Sequence, residues 1–150
     1  MMAKSRGPRI TVSFSPDLPP RLRGCFSAAA IRRAAVVFLQ QHRITSGALS
    51  IVLVTGRLIR KINKSHLDHD HVTDIITFDL REKGAFEGEL LICPAQAARN
   101  ARAFGEPLER ELLRYVAHGI LHLLGHDDAT ARQRAAMRRE EDELLALIWP

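Results

Sequence analysis

The stretch HGILHLLGHDD, from His118 to Asp128, decides how this chain is read. His118 and His122 are four residues apart. On a helix that step turns by about 400°, so both imidazoles leave one face roughly one turn apart. Two neutral imidazoles held that way form a bidentate clamp for Zn²⁺. A straight helix has no third position aimed at the same point. Gly125 follows three residues later, where it can adopt a positive φ and turn the chain back. Asp128 lies three residues beyond it and is an acceptable oxygen ligand for zinc. His126 competes for the third place, being four after His122. The glycine should end the helix before it, which favours Asp128.

A lone pair of histidines at this spacing is more often two ordinary core or surface residues. The added glycine and third ligand shift the reading to a metal site, with one Zn²⁺ per chain. The whole string, H-x-x-x-H-x-x-G-x-x-D, has the spacing of the metzincin zinc template with Asp in the last place. Metalloproteases carry a Glu directly after the first histidine as general base. This chain has Gly119, which cannot move a proton. A peptidase of the usual zincin kind is therefore disfavoured, although a zinc site can still activate water.

Outward from the motif, the patterns of apolar residues divide the chain. Pro107 should start the helix that carries the two histidines and ends near Gly125. A last helix, about Thr130 to Leu147, is charged on one face and has Met137, Leu144 and Leu145 on the other. Upstream, Pro94 opens a helix that stops at Gly105. Ile10–Phe14, Ala48–Val54, Asp74–Leu80 and Glu89–Cys93 read as strands, and Ala28–Gln41 and Arg57–Ser65 as helices. Pro16, Pro19 and Pro20 mark a loop. Residues 1–8 read as a flexible basic tail. The expectation is one α+β domain over residues 1–150, a mixed four-stranded sheet packed with about five helices, one of them a zincin-like metal helix.

Composition supports a folded chain: of 150 residues, 46% are apolar and 26% charged, both ordinary for a globular domain. The formal net charge of +5 favours polyanionic partners such as RNA, though a soluble basic protein without such a partner has the same balance. Cys25 and Cys93 form no metal or redox pair, which suits a reducing compartment. The start lacks a signal-peptide core, and the run Ala28–Leu39 is broken by Arg32 and Arg33, so it cannot span a bilayer. A cytoplasmic protein without a membrane segment is expected.

The same segment resembles the signature of the YbeY endoribonucleases, H-G-x-L-H-L-x-G-Y-D-H. Ile62-Asn63, Thr73-Asp74-Ile-Ile-Thr-Phe78 and Gly88-Glu89-Leu-Leu-Ile92 resemble further blocks of that family in order. The resemblance covers about residues 48 to 147. It implies a cytoplasmic, zinc-dependent, single-strand-specific endoribonuclease acting in 3′ maturation of small-subunit ribosomal RNA and in ribosome quality control. Single-stranded RNA and the small ribosomal subunit would be its partners. Three positions depart from the pattern. Asp128 stands where the family has its third histidine, His126 replaces a tyrosine, and Leu67 stands where the family often has an arginine.

The general base is open. Asp74, His71 and Asp127 are the leading candidates, with His69 and Asp70 beside them, although a polar window such as His66–His71 is also what a solvated loop looks like. Asp74 has a second reading, bracing a metal-ligating histidine. Arg57, Arg60 and Arg114 are candidates for an RNA track, together with Arg99, Arg102 and Arg110. Phe86 and Trp149 are candidates for base stacking or for plain packing. Two other function classes remain: a metal-dependent hydrolase of another bond, and a non-catalytic ribosome-binding module with structural zinc. The last requires a fourth protein ligand, whereas catalysis requires an open position.

Overall fold

The computed structural model describes residues 7–67 and 73–149. Four strands form one mixed sheet in the order β1-β2-β4-β3. β1 (Arg9–Phe14), β2 (Ala48–Leu53) and β4 (Glu87–Ile92) run parallel, and β3 (Ile75–Asp79) pairs antiparallel to β4 at the edge. Parallel neighbours need a crossover, and α2 (Ala28–Gln41) supplies it between β1 and β2. The expected α+β architecture is the one found.

Successive side chains on a strand point to opposite faces, and here the two faces have different coverings. Leu49, Ile51 and Leu53 of β2, with Leu90 and Ile92 of β4, join a large core with Ile31, Ala35 and Phe38 of α2. On the opposite face Ile76, Leu91 and Cys93 pack with Ile59 of α3 (Gly56–Leu67) in a smaller cluster. The apolar positions of α2 read from the sequence, Ile31, Ala34, Ala35, Phe38 and Leu39, are all buried. Ser27 caps that helix by accepting a hydrogen bond from the Ala30 N–H.

The helix that carries the metal motif, α5 (Leu108–Leu123), is the centre of the large core. It packs against α2, α4 (Pro94–Phe104), α6 (Ala131–Ala146), β3 and β4. Leu112, Ile120 and Leu121 are fully buried, each contributing about 1.5–3 kcal/mol by removal from water. A helix buried around most of its circumference holds its few polar side chains in fixed places.

One element differs from expectation. Pro19 and Pro20 do not lie in a plain loop: Pro20–Arg23 form a single helical turn, α1, which makes six helices among the described residues. Pro20 sits in the first turn, where its missing N–H would have had no partner anyway. The N–H groups of Leu22 and Arg23 both donate to the Pro19 carbonyl at 3.0 Å. The expected tail, residues 1–8, falls outside the described residues except for Gly7 and Pro8. No described helix is long and apolar enough to cross a membrane.

Candidate metal centre

The end of α5 builds the site. Leu124 caps the helix, and Gly125 follows with φ 96°. The Gly125 N–H donates to the His122 carbonyl and the His126 N–H to the Leu121 carbonyl, both at 3.0 Å. These two bonds define a Schellman turn, which uses a left-handed residue to reverse the chain. The reversed segment brings Asp128 back over the histidines. Its Oδ2 lies 3.4 Å from His118 Nε2 and 3.3 Å from His122 Nε2, and the two Nε2 atoms are 3.1 Å apart.

The donor set fits a small tetrahedral cation. Ligands about 2.0–2.1 Å from a tetrahedral zinc lie about 3.3–3.4 Å from each other. The three edges of this triangle are 3.1, 3.3 and 3.4 Å. His118, His122 and Asp128 thus form a group that could hold a metal ion. His118 and Asp128 also line a cleft of about 270 Å³.

Behind the triangle stands Glu141 of α6, 5% exposed. Its Oε2 lies 2.7 Å from His118 Nδ1. A carboxylate there fixes the proton on Nδ1 and leaves the Nε2 lone pair facing Asp128 and His122. Burial of His118 favours the neutral ring, but the hydrogen bond and charge of Glu141, with the charges of Asp128 and Asp74, hold its pKa above the ordinary value. Helix α6 is launched by a capping box: the Gln133 N–H donates to Thr130 Oγ1 at 3.1 Å, and the Thr130 N–H to Gln133 Oε1 at 3.0 Å.

Arg114, a candidate RNA contact, lines the cleft with His118 and Asp128 but is only 4% exposed and bound up in ion pairs. Its Nη1 reaches Glu141 Oε1 at 3.3 Å and its Nη2 reaches Asp142 Oδ1 at 2.8 Å. It sits one turn before His118 on α5, so its guanidinium braces the carboxylate that braces the histidine. Its Nε is buried without a hydrogen bond, 4.0 Å from the Glu111 carboxylate. Burial raises the Glu111 pKa despite the opposing charge of Arg114.

The other sequence candidates are spread out. Asp74, at the mouth of β3, lines the cleft with Asn100, Tyr115, Arg134 and Arg138. Tyr115 is buried, which pushes its phenol pKa up and keeps the ring neutral. Asp127 is exposed and is not among the lining residues. Arg57 and Arg60 are exposed on α3, which covers the opposite face of the sheet from α5. Arg99, Arg102 and Arg110 do not line the cleft. Phe86 is buried in the large core, and Trp149 packs against it. His69, Asp70 and His71 lie outside the described residues. Among the described residues the alternative third ligand, His126, faces Glu140 instead, at 3.6 Å.

Gly119 has a packing reason. A Cβ at this position would stand 2.6 Å from Leu90 Cδ2 and 2.8 Å from Ile75 Cδ1. Both are closer than non-bonded carbons approach, so any side chain here must first push the ends of Leu90 and Ile75 aside. A glutamate base of the protease kind would have to displace both side chains.

Sequence reasoning missed Glu141 and the role of Arg114. The signal for Glu141 is present in the chain: it falls on the same α6 stripe as Met137, Leu144 and Leu145, all buried. A carboxylate within an apolar stripe requires a partner.

The chain is similar to known proteins in sequence and in fold. A family model described as Endoribonuclease YbeY matches residues 26–148. A Chloroherpeton thalassium protein named Endoribonuclease YbeY is 41% identical over 119 residues, which is 79% of this chain and 84% of its own length. A protein of the same name from Elusimicrobium minutum is 38% identical over 144 residues, 93% of this chain and 99% of its own. The solution structure of a Thermotoga maritima protein superimposes with a TM-score of 0.65 at 26% identity, covering 93% of this chain and 89% of that one.

Proposed function

The chain belongs to the YbeY endoribonuclease family, and from that premise we propose that it is a zinc-dependent, single-strand-specific endoribonuclease. Its place is the cytoplasm, in 3′ maturation of small-subunit ribosomal RNA and in ribosome quality control. The observation that carries the reading is the triangle of His118 Nε2, His122 Nε2 and Asp128 Oδ2, whose edges match a tetrahedral zinc site with one vertex left for substrate. When bound there, zinc supplies Lewis acidity and positive charge at the floor of the cleft.

The chain's own groups do the rest. Glu141 holds the Nδ1 proton of His118 and so keeps the ligating nitrogen bare. Asp74, which lines the same cleft as His118 and Asp128, is the carboxylate we assign as proton acceptor. Arg134 and Arg138 are exposed at the cleft and suit the RNA phosphates. Arg57 and Arg60 extend a basic surface on α3. Gly119 supports phosphodiester over peptide cleavage, since glycine offers no base where the metalloproteases carry glutamate.

The test is cleavage of labelled single-stranded RNA by zinc-loaded wild type and by His122→Ala purified in parallel. Wild type should cut, stop on chelation, and spare duplex RNA, whose backbone is held in a paired A-form helix. Binding should weaken steeply with salt as phosphate contacts release counterions. Equal cleavage by both proteins would remove the nuclease reading, and cleavage of an unfolded protein by wild type alone would replace it with a peptidase.

A further inference from the structure

A second set of ligating side chains meets outside the cleft. His42 caps the C-terminus of α2, His126 follows the Schellman glycine, and Glu140 lies on α6. Glu140 Oε2 is 3.9 Å from His42 Nε2 and 3.6 Å from His126 Nδ1. One ligand atom from each of the three lies within 4.8 Å of the other two. The imidazoles stand edge to face, with an interplanar angle of 86° and centroids 6.4 Å apart.

The tautomer of His42 is set by its surroundings. Its Nδ1 lies 3.1 Å from the Phe38 carbonyl, which can only accept, so Nδ1 carries the proton. The Nε2 lone pair is then left on the side of Glu140. A ring nitrogen tied to a backbone carbonyl with the other nitrogen bare is the usual state of a metal-ligating histidine. Among the described residues, the ion pairs of Glu140 are with these two histidines and with no lysine or arginine. Consecutive helix residues point about 100° apart, so Glu140 serves this group while Glu141 serves His118.

We propose that His42, His126 and Glu140 form a second, peripheral site for a borderline divalent cation of the zinc class. Its edges from Glu140, 3.6 and 3.9 Å, exceed those of the cleft triangle, and the third lies within 4.8 Å, so an ion must draw the three side chains together. Occupation ties α2 and α6 to the turn that carries Asp128. The site is independent of the reading of the cleft.

The experiment is zinc titration of metal-free protein against a competing chromophoric chelator. Wild type, His42→Ala, Glu140→Gln, His118→Ala and the His42→Ala/His118→Ala double variant are compared, with circular dichroism as the check on folding. Wild type should bind one zinc more than His42→Ala and than Glu140→Gln. His118→Ala should keep one zinc that the double variant loses, and zinc should raise the Tm of the single but not the double variant. Because Glu140→Gln preserves shape, it decides the matter if His42→Ala fails to fold. Equal zinc stoichiometry in wild type and folded Glu140→Gln overturns the proposal. If His118→Ala costs no zinc while Glu140→Gln still costs one, the cleft assignment fails and this site stands.

Discussion

The cleft triangle and the peripheral triangle are built from the same residue types, two histidines and a carboxylate, yet they are made differently. His118 and His122 share one helix, and Asp128 is delivered by a turn that the same helix ends in. Their edges are 3.1 to 3.4 Å, and a buried carboxylate locks one ring from behind. His42, His126 and Glu140 come from α2, the α5–α6 turn and α6, and their edges from Glu140 are 3.6 and 3.9 Å. Local covalent geometry brings ligands to contact distance before any metal arrives, whereas ligands recruited through tertiary packing need the ion to complete their approach. The first site should therefore be tight and the second weak.

The harshest way to break this contrast is to unseat α5. Gly119→Glu forces a charged side chain between Leu90 and Ile75. It should cost about 4 kcal/mol or more, which for a chain of this size lowers Tm by about 10 °C or more. Thermal melting of metal-free protein measures it, and a variant that melts like wild type would show that the seat of α5 is not what orders the cleft. No peptidase activity should appear.

Next in size is a crossed pair of variants. Asp128→Ala removes a direct ligand and should weaken the tighter zinc by more than the ~10–100-fold usual for losing a supporting residue. His126→Ala should leave that zinc unchanged and abolish the weaker one. Isothermal titration of both proteins decides, and the reverse pattern would exchange the two assignments.

Glu141→Gln takes the negative charge from behind His118 and makes the cleft triangle more like its neighbour. Zinc affinity there should fall about 10–100-fold, read by competition with a chelator. Arg114 retains Asp142, so the fold should survive. The smallest effect belongs to the element the two triangles share. Thr130→Ala removes the cap of α6, which carries both Glu140 and Glu141, and should cost ~1 kcal/mol in chemical denaturation while both zinc sites persist.

What could be read from the chain follows the same division. The bounds of α2 and α4, the helix carrying the two histidines and the reversal at Gly125 were all legible because spacing along one segment encodes them. So was the choice of Asp128 over His126 as the residue brought to the histidines. The pairing order of the sheet was not legible, since nothing in a strand's alternation names its neighbour. Arg114 looked like one more basic helix residue because its partners, Glu141 and Asp142, lie on another helix some 27 residues away. His42 and Glu140 likewise carry no local sign of each other. The turn at Pro20 was missed because prolines mark loops and helix starts alike.

The close seat of α5 on β3 and β4 also bears on how such a protein can change by descent. Some glycine codons stand one base from a glutamate codon, so the string at His118 is a short mutational step from the metalloprotease motif. That step is opposed by packing against the sheet and not by anything in the motif. A lineage would take it most easily after Leu90 and Ile75 had shrunk, and each of those changes would first open a void in the core at a cost of about 1–5 kcal/mol with nothing gained. Leu90 and Ile75, which are not ligands, thus raise a historical barrier between two chemistries that share a metal clamp.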